Sequence, residues 1–351
     1  MAIPMGNSVP RIALAGVLGA ALAFGYEHAE ARRDEAAAAM TRAAKAFLAG
    51  LDETSRARAA LTFDDPARTD WHFVPRDRRG VLLAALDDDD RANLDKLMAT
   101  GLSESGRALF QGVLDLEAIL FESESRPGAP AEGRDPGRYA VAIFGEPGVE
   151  PWAWRVEGHH WSASFTSTDP STIAVAPFFV GANPARVEKG SRSGFELLGA
   201  EDGRARAFLA SLAPEERQKA KLPGATPADV VLAPGKAALE GEPLGVRAKH
   251  LSVEKSAALL SLVDEYFAEL SEPLAERERA RFAEHSPDDL WFAWSGEEGE
   301  AVPRYWRVQG TYFAIEFVYP AGSKNHAHRV WRDFERDLGG PALKQHLSEE
   351  K

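Results

Sequence analysis

The 351 residues contain no cysteine. That excludes disulfides, thiolate nucleophiles and thiolate metal ligands, which leaves nitrogen and oxygen as the main donors for a transition metal. Long apolar runs are also missing. The longest, Ile12 to Phe24, is thirteen residues, short of the roughly twenty that span a bilayer as a helix. Positive charge is in deficit: 41 Lys and Arg face 54 Asp and Glu, a net charge of −13. Such a balance argues against a surface for nucleic acid or for an anionic membrane, and favours a neutral or cationic partner. A calcium loop is absent as well. Asp87 to Asp90 has no glycine and no distal glutamate at EF-hand spacing, and four aspartates there read as the acidic start of a helix.

What is present is an ordinary globular composition, 44% hydrophobic and 27% charged, enough for one large core or two modest ones. Arg11 precedes the apolar run and Ala29-Glu30-Ala31 follows it, the order of a cleaved export signal. Residues 1–31 are therefore expected to be a signal peptide. The mature chain, 32–351, is expected to be periplasmic or secreted, with no membrane span.

The stretch Trp152 to Phe165, W-A-W-R-V-E-G-H-H-W-S-A-S-F, returns in edited form from Tyr305 to Phe317 as Y-W-R-V-Q-G-T-Y-F-A-I-E-F. Setting Trp154 on Trp306 brings Gly158 onto Gly310 and Phe165 onto Phe317. The pattern predicts a pseudo-repeat, 139–166 and 290–318, each copy an antiparallel meander of three strands. Alternation puts His159, Trp161, Ala163 and Phe165 on one face with Thr311, Phe313, Ile315 and Phe317 as counterparts, which is the expected core. The other face carries His160, Ser162 and Ser164 opposite Tyr312, Ala314 and Glu316. Helical spacing predicts helices within 34–61, from Ser103 to about Phe121, at 205–212 and 214–221, at 253–270 and 273–284, and a short one around His346. A short strand is expected at Asp229 to Leu232, and Pro177 to Pro184 reads as an apolar, turn-rich stretch, either a substrate-lining wall or a buried connection. Blocks of strands segregated from blocks of helices give an α+β class, a sheet packed with helices in a single domain.

His326 and His328 carry the sharpest chemical signal. Two imidazoles one residue apart on an extended chain point the same way and grip one ion, and nitrogen ligands suit zinc or copper. With His160 they make three nitrogens, and Glu316 or Asp333 supplies an oxygen. In the hydrolytic form of this site Glu316 is the fourth ligand or general base, and Arg155 or Arg307 stabilises a developing oxyanion on a small-molecule substrate. His159, on the expected core face, reads as a hydrogen-bonded interior group. The recurring Arg155 and Arg307 also suit plain architecture, as ion pairs or stacked on tryptophan. Two other functions remain open: a metal-free protein binding a glycan or other small molecule in a tryptophan-lined pocket, and a scaffold for other envelope proteins.

Six ordered motifs carry a family resemblance: W-x-F-x-P at Trp71, R-D-P-x-x-Y at Arg134, F-G-x-P-G at Phe144, W-x-W-R-x-E-G-H-H at Trp152, F-F-x-G-A-N-P at Phe178 and H-x-H-x-x-W-R-D at His326. Together they resemble the domain-of-unknown-function 3500 family over nearly all of the mature chain. The resemblance implies export and ties the G-H-H and H-x-H segments to one another. It implies no activity and no cofactor.

Overall fold

A computed structural model of the protein describes residues 35–169, 172–296 and 304–340. The expected signal, 1–31, and the expected helix around His346 lie outside the described residues. Three strands in each repeat form where β-branched and aromatic residues alternate. In the first they are β3 (Ala140–Phe144), β4 (Trp152–Gly158) and β5 (Trp161–Asp169). In the second they are β9 (Trp291–Ser295), β10 (Tyr305–Gln309) and β11 (Phe313–Val318). Both are antiparallel meanders, and their registers match: Ile143 pairs Trp154, which pairs Phe165, as Trp294 pairs Trp306, which pairs Phe317. In each copy the tryptophan and phenylalanine rings stack, at 4.4 Å and 15° for Trp154 with Phe165, and 5.4 Å and 6° for Trp306 with Phe317.

The meanders are joined into one twelve-stranded sheet by a seam of two antiparallel strands, β7 (Phe178–Ala182) and β12 (Ala327–Asp333). The apolar stretch read as a connection is therefore a central strand, paired on one side to β5 and on the other to β12. All five residues of β7 are buried. Continuous apolarity there reflects burial on both sheet faces, which erases the alternation that marks a half-exposed strand. The short strands β1 (Ala60–Leu61), β2 (Val81–Leu82), β6 (Thr172–Ala174) and β8 (Val246–Arg247) complete the sheet.

Helices cover one face. Among the described residues they are α1 (35–50), α2 (Glu53–Ala59), α3 (Asp88–Gly101), α4 (Glu104–Glu124), α5 (Gly199–Ser211), α6 (Pro214–Ala220), α7 (Val253–Ala268) and α8 (Glu272–Glu284). The class is α+β. Asp87 caps α3 by accepting from the Asp90 backbone N–H, and Asp88, Asp89 and Asp90 fill its first turn, so this acidic run meets the positive end of the helix dipole. Ser103 caps α4. The two helix pairs meet in a contact that reads the same from either side. Leu102 bridges Leu270, Ser103 N donates to Glu269 O (2.9 Å) and Ser271 N to Gly101 O (3.0 Å). The two serine hydroxyls donate to Ala268 O and Thr100 O, each at 2.8 Å.

Loops cover the second face, where Trp71, Phe73, Val230 and Leu232 pack on Phe179, Tyr305, Ala314, Val318 and Val330. The strand expected at Asp229 to Leu232 is part of this loop cover. Its Val231 and Leu232 N–H groups donate to the Glu316 carboxylate (2.7 and 3.1 Å) instead of to a neighbouring strand. Seven of the eight tryptophans, Trp71, Trp152, Trp154, Trp161, Trp294, Trp306 and Trp331, are buried in these cores. They are packing residues, which is not the arrangement a tryptophan-lined ligand pocket needs.

A buried polar knot ties β12 to the helices. Arg329 is ion-paired with Glu201 on α5 (3.1 Å) and with Glu269 (2.5 Å), and Tyr266 on α7 donates to Glu201. Burial outweighs Arg329 and pushes the Glu201 carboxyl up to about 7. A carboxyl whose folded value lies above its unfolded one, near 4.5, binds more protons folded than unfolded between the two. Stability is therefore lost as pH rises across that window. Urea titrations from pH 4.5 to 7 should show a shallower decline for Glu201→Gln than for the wild type; equal slopes would contradict the assignment. In the same assay Phe165→Ala and Phe317→Ala should each cost roughly 3–5 kcal/mol, the range for emptying a buried aromatic site. A loss under about 1 kcal/mol in either would show that its ring stack is not part of the core.

Candidate metal centre

The histidine cluster sits where the seam of the sheet meets the turn of the first meander. The turn occupies His159 and His160, between β4 and β5, so strand alternation stops at Gly158 and does not assign these two rings to opposite faces. His160 takes a left-handed backbone, φ +62°, a conformation that histidine tolerates better than bulkier or branched residues. It is fixed from both sides, with its N–H donating to Phe73 O (3.0 Å) and its carbonyl accepting from Gly181 N (2.7 Å). Arg78, buried and paired with Glu157 (2.7 Å), donates to Gly158 O (3.0 Å) and so clamps the end of β4.

Gly181 is the last-but-one residue of β7 and pairs His328 on β12. A Cβ on it would lie 2.6 Å from His160 Cδ2. The missing side chain is thus what allows the His160 ring to lie across the seam beside His326 and His328. The imidazole nitrogens of these three residues lie within 4.8 Å of one another, and His160 Nε2 is 2.8 Å from His326 Nε2. A tetrahedral ion with bonds of about 2.0–2.1 Å holds its ligand atoms about 3.3 Å apart, inside the range these nitrogens span.

Carboxylates set two of the three tautomers. Glu117, on α4 and 1% exposed, lies 3.3 Å from His160 Nδ1 and 2.7 Å from His159 Nδ1. Asp229, from the loop over the second face, lies 2.7 Å from His328 Nδ1. Each carboxylate accepts the Nδ1 proton and leaves Nε2 with its lone pair, the orientation by which metal-binding histidines are commonly held. His328 Nε2 is buried without a hydrogen-bond partner. An unpaired buried nitrogen costs free energy, and an ion would satisfy it. Burial holds two of these imidazoles neutral: His326 is pushed down to about 3 and His160 well below its usual range, while Glu117 is pushed up, also by burial.

A second group, Glu117, His159 and His160, shares the same carboxylate. His159 is pushed down to about 2, first by burial and then by Arg134, whose Nη1 lies 3.0 and 3.1 Å from the two ring nitrogens. His159 also lines a cleft of about 200 Å³ together with Pro75, Arg76, Arg78, Arg138 and Tyr139.

The structure brings His160, His326 and His328 together and leaves the other expected site residues elsewhere. Glu316 belongs to neither group. Its oxygens are held by Val231 N, Leu232 N and the Tyr305 hydroxyl, and its cross-strand neighbour is Arg307. Arg155 donates to Ala67 O and Arg68 O and pairs with Glu157 (2.9 Å) while lying over Phe144. Asp333 pairs with Arg281. Glu316 and Asp333 thus stand outside the histidine cluster, and the carboxylates hydrogen-bonded to its rings are Glu117 and Asp229. Glu117 left a trace in the sequence: it interrupts the apolar face of Val113, Leu116 and Leu120 with a charge. Asp229 left none. A Gly181→Ala change should move the His160 ring and cost about 1–3 kcal/mol by overpacking, read by urea denaturation and by the His160 ring ¹⁵N shifts. Unchanged shifts and stability would show the contact to be slack.

Among the described residues no helix is long and apolar enough to cross a membrane. No curated protein and no solved structure matches the chain. A family model does, over residues 33–340, and the chain accordingly belongs to the protein family of unknown function DUF3500.

Proposed function

We propose that this is an exported protein, periplasmic or secreted, that holds one divalent zinc or copper ion on His160, His326 and His328 and uses it to hydrolyse a small-molecule substrate. The observation that carries the metal is the buried His328 Nε2, an acceptor without a donor, facing two further imidazoles whose nitrogens lie within 4.8 Å. Three nitrogen ligands leave a fourth position, the arrangement of catalytic rather than structural sites. When bound, such an ion polarises a carbonyl or phosphoryl oxygen and lowers the pKa of water. The chain itself supplies the rest. Glu117 and Asp229 hold the ligand rings, and the loops bearing Phe73 and Val230 exclude bulk water from the sheet face. His159, on the cleft, lies 2.7 Å from Glu117 and helps to hold that carboxylate against the ligand rings. The same proposal takes 32–351 as one domain with an internal pseudo-repeat, which the matched registers of the two meanders support.

A structural ion is the competing function, favoured by the low exposure of His160 and His328, 2% and 4%. Protein stripped by chelation and dialysed against zinc or copper(II) should take up one ion per chain by elemental analysis. His326→Ala combined with His328→Ala should abolish uptake, and Glu117→Gln should weaken it roughly 10–100-fold. No uptake by the wild type, or undiminished uptake by the double variant, would overturn the proposal. Removal of the ion separates the two functions: a structural ion lowers the melting temperature sharply, whereas a catalytic one abolishes turnover with a small change in melting.

A further inference from the structure

The acidic chain gathers arginine in one place. A cavity of about 430 Å³ is lined by ten residues, five of them arginine: Arg58, Arg76, Arg78, Arg79 and Arg138. Asp77 is the one carboxylate of the lining. In a chain with net charge −13 such a concentration opposes the global field, and the cavity is within the size range of small-molecule sites. Three of these arginines, Arg76, Arg78 and Arg138, also line the smaller cleft that reaches His159. His159 shares Glu117 with His160. The arginine cavity and the histidine cluster are thus linked through one cleft and one carboxylate.

The five arginines are not equally committed. Arg78 is consumed by the fold, paired with Glu157 and donating to four backbone carbonyls, Arg76 O, His72 O, Val74 O and Gly158 O. The others are held loosely. Arg76 pairs with Asp70, which is 63% exposed, and Arg138 with Asp77, which is 92% exposed. Arg79 is itself 65% exposed beside Asp65. Exposed pairs of this kind contribute little to stability, so an incoming oxyanion displaces the carboxylates at little cost. Arg76 Nε, moreover, is buried without a partner, a donor already stripped of water on the cavity wall. Guanidinium groups present paired donors that match the two oxygens of a carboxylate or phosphoryl group.

We infer that this cavity is the recognition site for an oxyanion, a carboxylate or phosphoryl group, and that the substrate of the histidine centre is a small organic anion. The second clause rests on the proposed function; the first does not. Arg76 and Arg138 make the bidentate contacts, Arg58 and Arg79 add long-range attraction, and Arg78 shapes the loop. The anionic end sits among the arginines, and the remainder extends past Tyr139 toward His159.

The test is calorimetric titration of the full metal-free protein with inorganic pyrophosphate and, separately, with citrate, at low and high salt. Saturable binding of either supports the inference, and the tighter of the two identifies the anion. Binding should weaken with salt and fall roughly tenfold or more in Arg76→Gln and in Arg138→Gln. It should be retained in Arg186→Gln, a surface control far along the chain, and in the His326→Ala, His328→Ala variant. Melting curves identify any variant that fails to fold, and Arg58→Gln, at an exposed position, then serves in its place with a smaller loss. Failure of both anions to bind, or equal binding by all the arginine variants, overturns the inference. Because the metal-free protein is used, that failure leaves the metal site untouched, and failure of metal uptake leaves the anion site untouched.

Discussion

The antiparallel pairing of β7 with β12 is the contact on which the remaining geometry depends. It closes two separate meanders into one sheet, and it sets the neighbour of His328 across the seam. The register opposes His328 to Gly181, and Gly181 is where the His160 ring lies. A shift of the pairing by one residue would turn His328 to the opposite face and bring a side chain against His160. The polar knot of Arg329, Glu201 and Glu269 lies one residue beyond His328, so the same strand that carries the ligands is the one most firmly tied to the helices.

The two halves share a framework and differ in what they place on it. Gly181 N donates to His160 O at the turn of the first meander, and Phe334 N donates to Tyr312 O at the turn of the second, both at 2.7 Å. In the first half the turn meets Glu117, His326 and His328. In the second it meets His285, whose ring lies 4.7 Å from that of Tyr312, and Arg281, which stacks on Tyr312 and pairs with Asp333. One end of the sheet concentrates imidazole nitrogens, and the other fills the comparable position with a tyrosine and a closed ion pair.

Much of this was legible in the residues. The meanders, the paired Trp and Phe positions and the helix starts at Asp87 and Ser103 follow from local pattern, and the family resemblance ties G-H-H to H-x-H. The failures have local causes too. Phe178 to Ala182 reads as a connection because prolines flank it and burial on both faces hides its period. The side of the sheet to which His159 points does not follow from alternation, because His159 and His160 form the turn and the strand resumes only at Trp161. Glu316 appears chemical because it is a charge in an apolar strand, but its partners are backbone N–H groups 84 and 85 residues away in sequence. Such long-range loop cover has no periodicity to read. Asp229 is invisible for the same reason, and Glu117 shows only as a charge on an apolar helix face, because their partners are set by packing of a loop and of α4 against a turn distant in sequence.

The account turns on three imidazoles sharing one ion. X-ray absorption at the metal edge of zinc- or copper-loaded protein measures that shell directly. It should show four nitrogen or oxygen ligands at about 2.0–2.1 Å, with the outer-ring scattering of three imidazoles. A shell of oxygen alone, or one with a single imidazole, would contradict it.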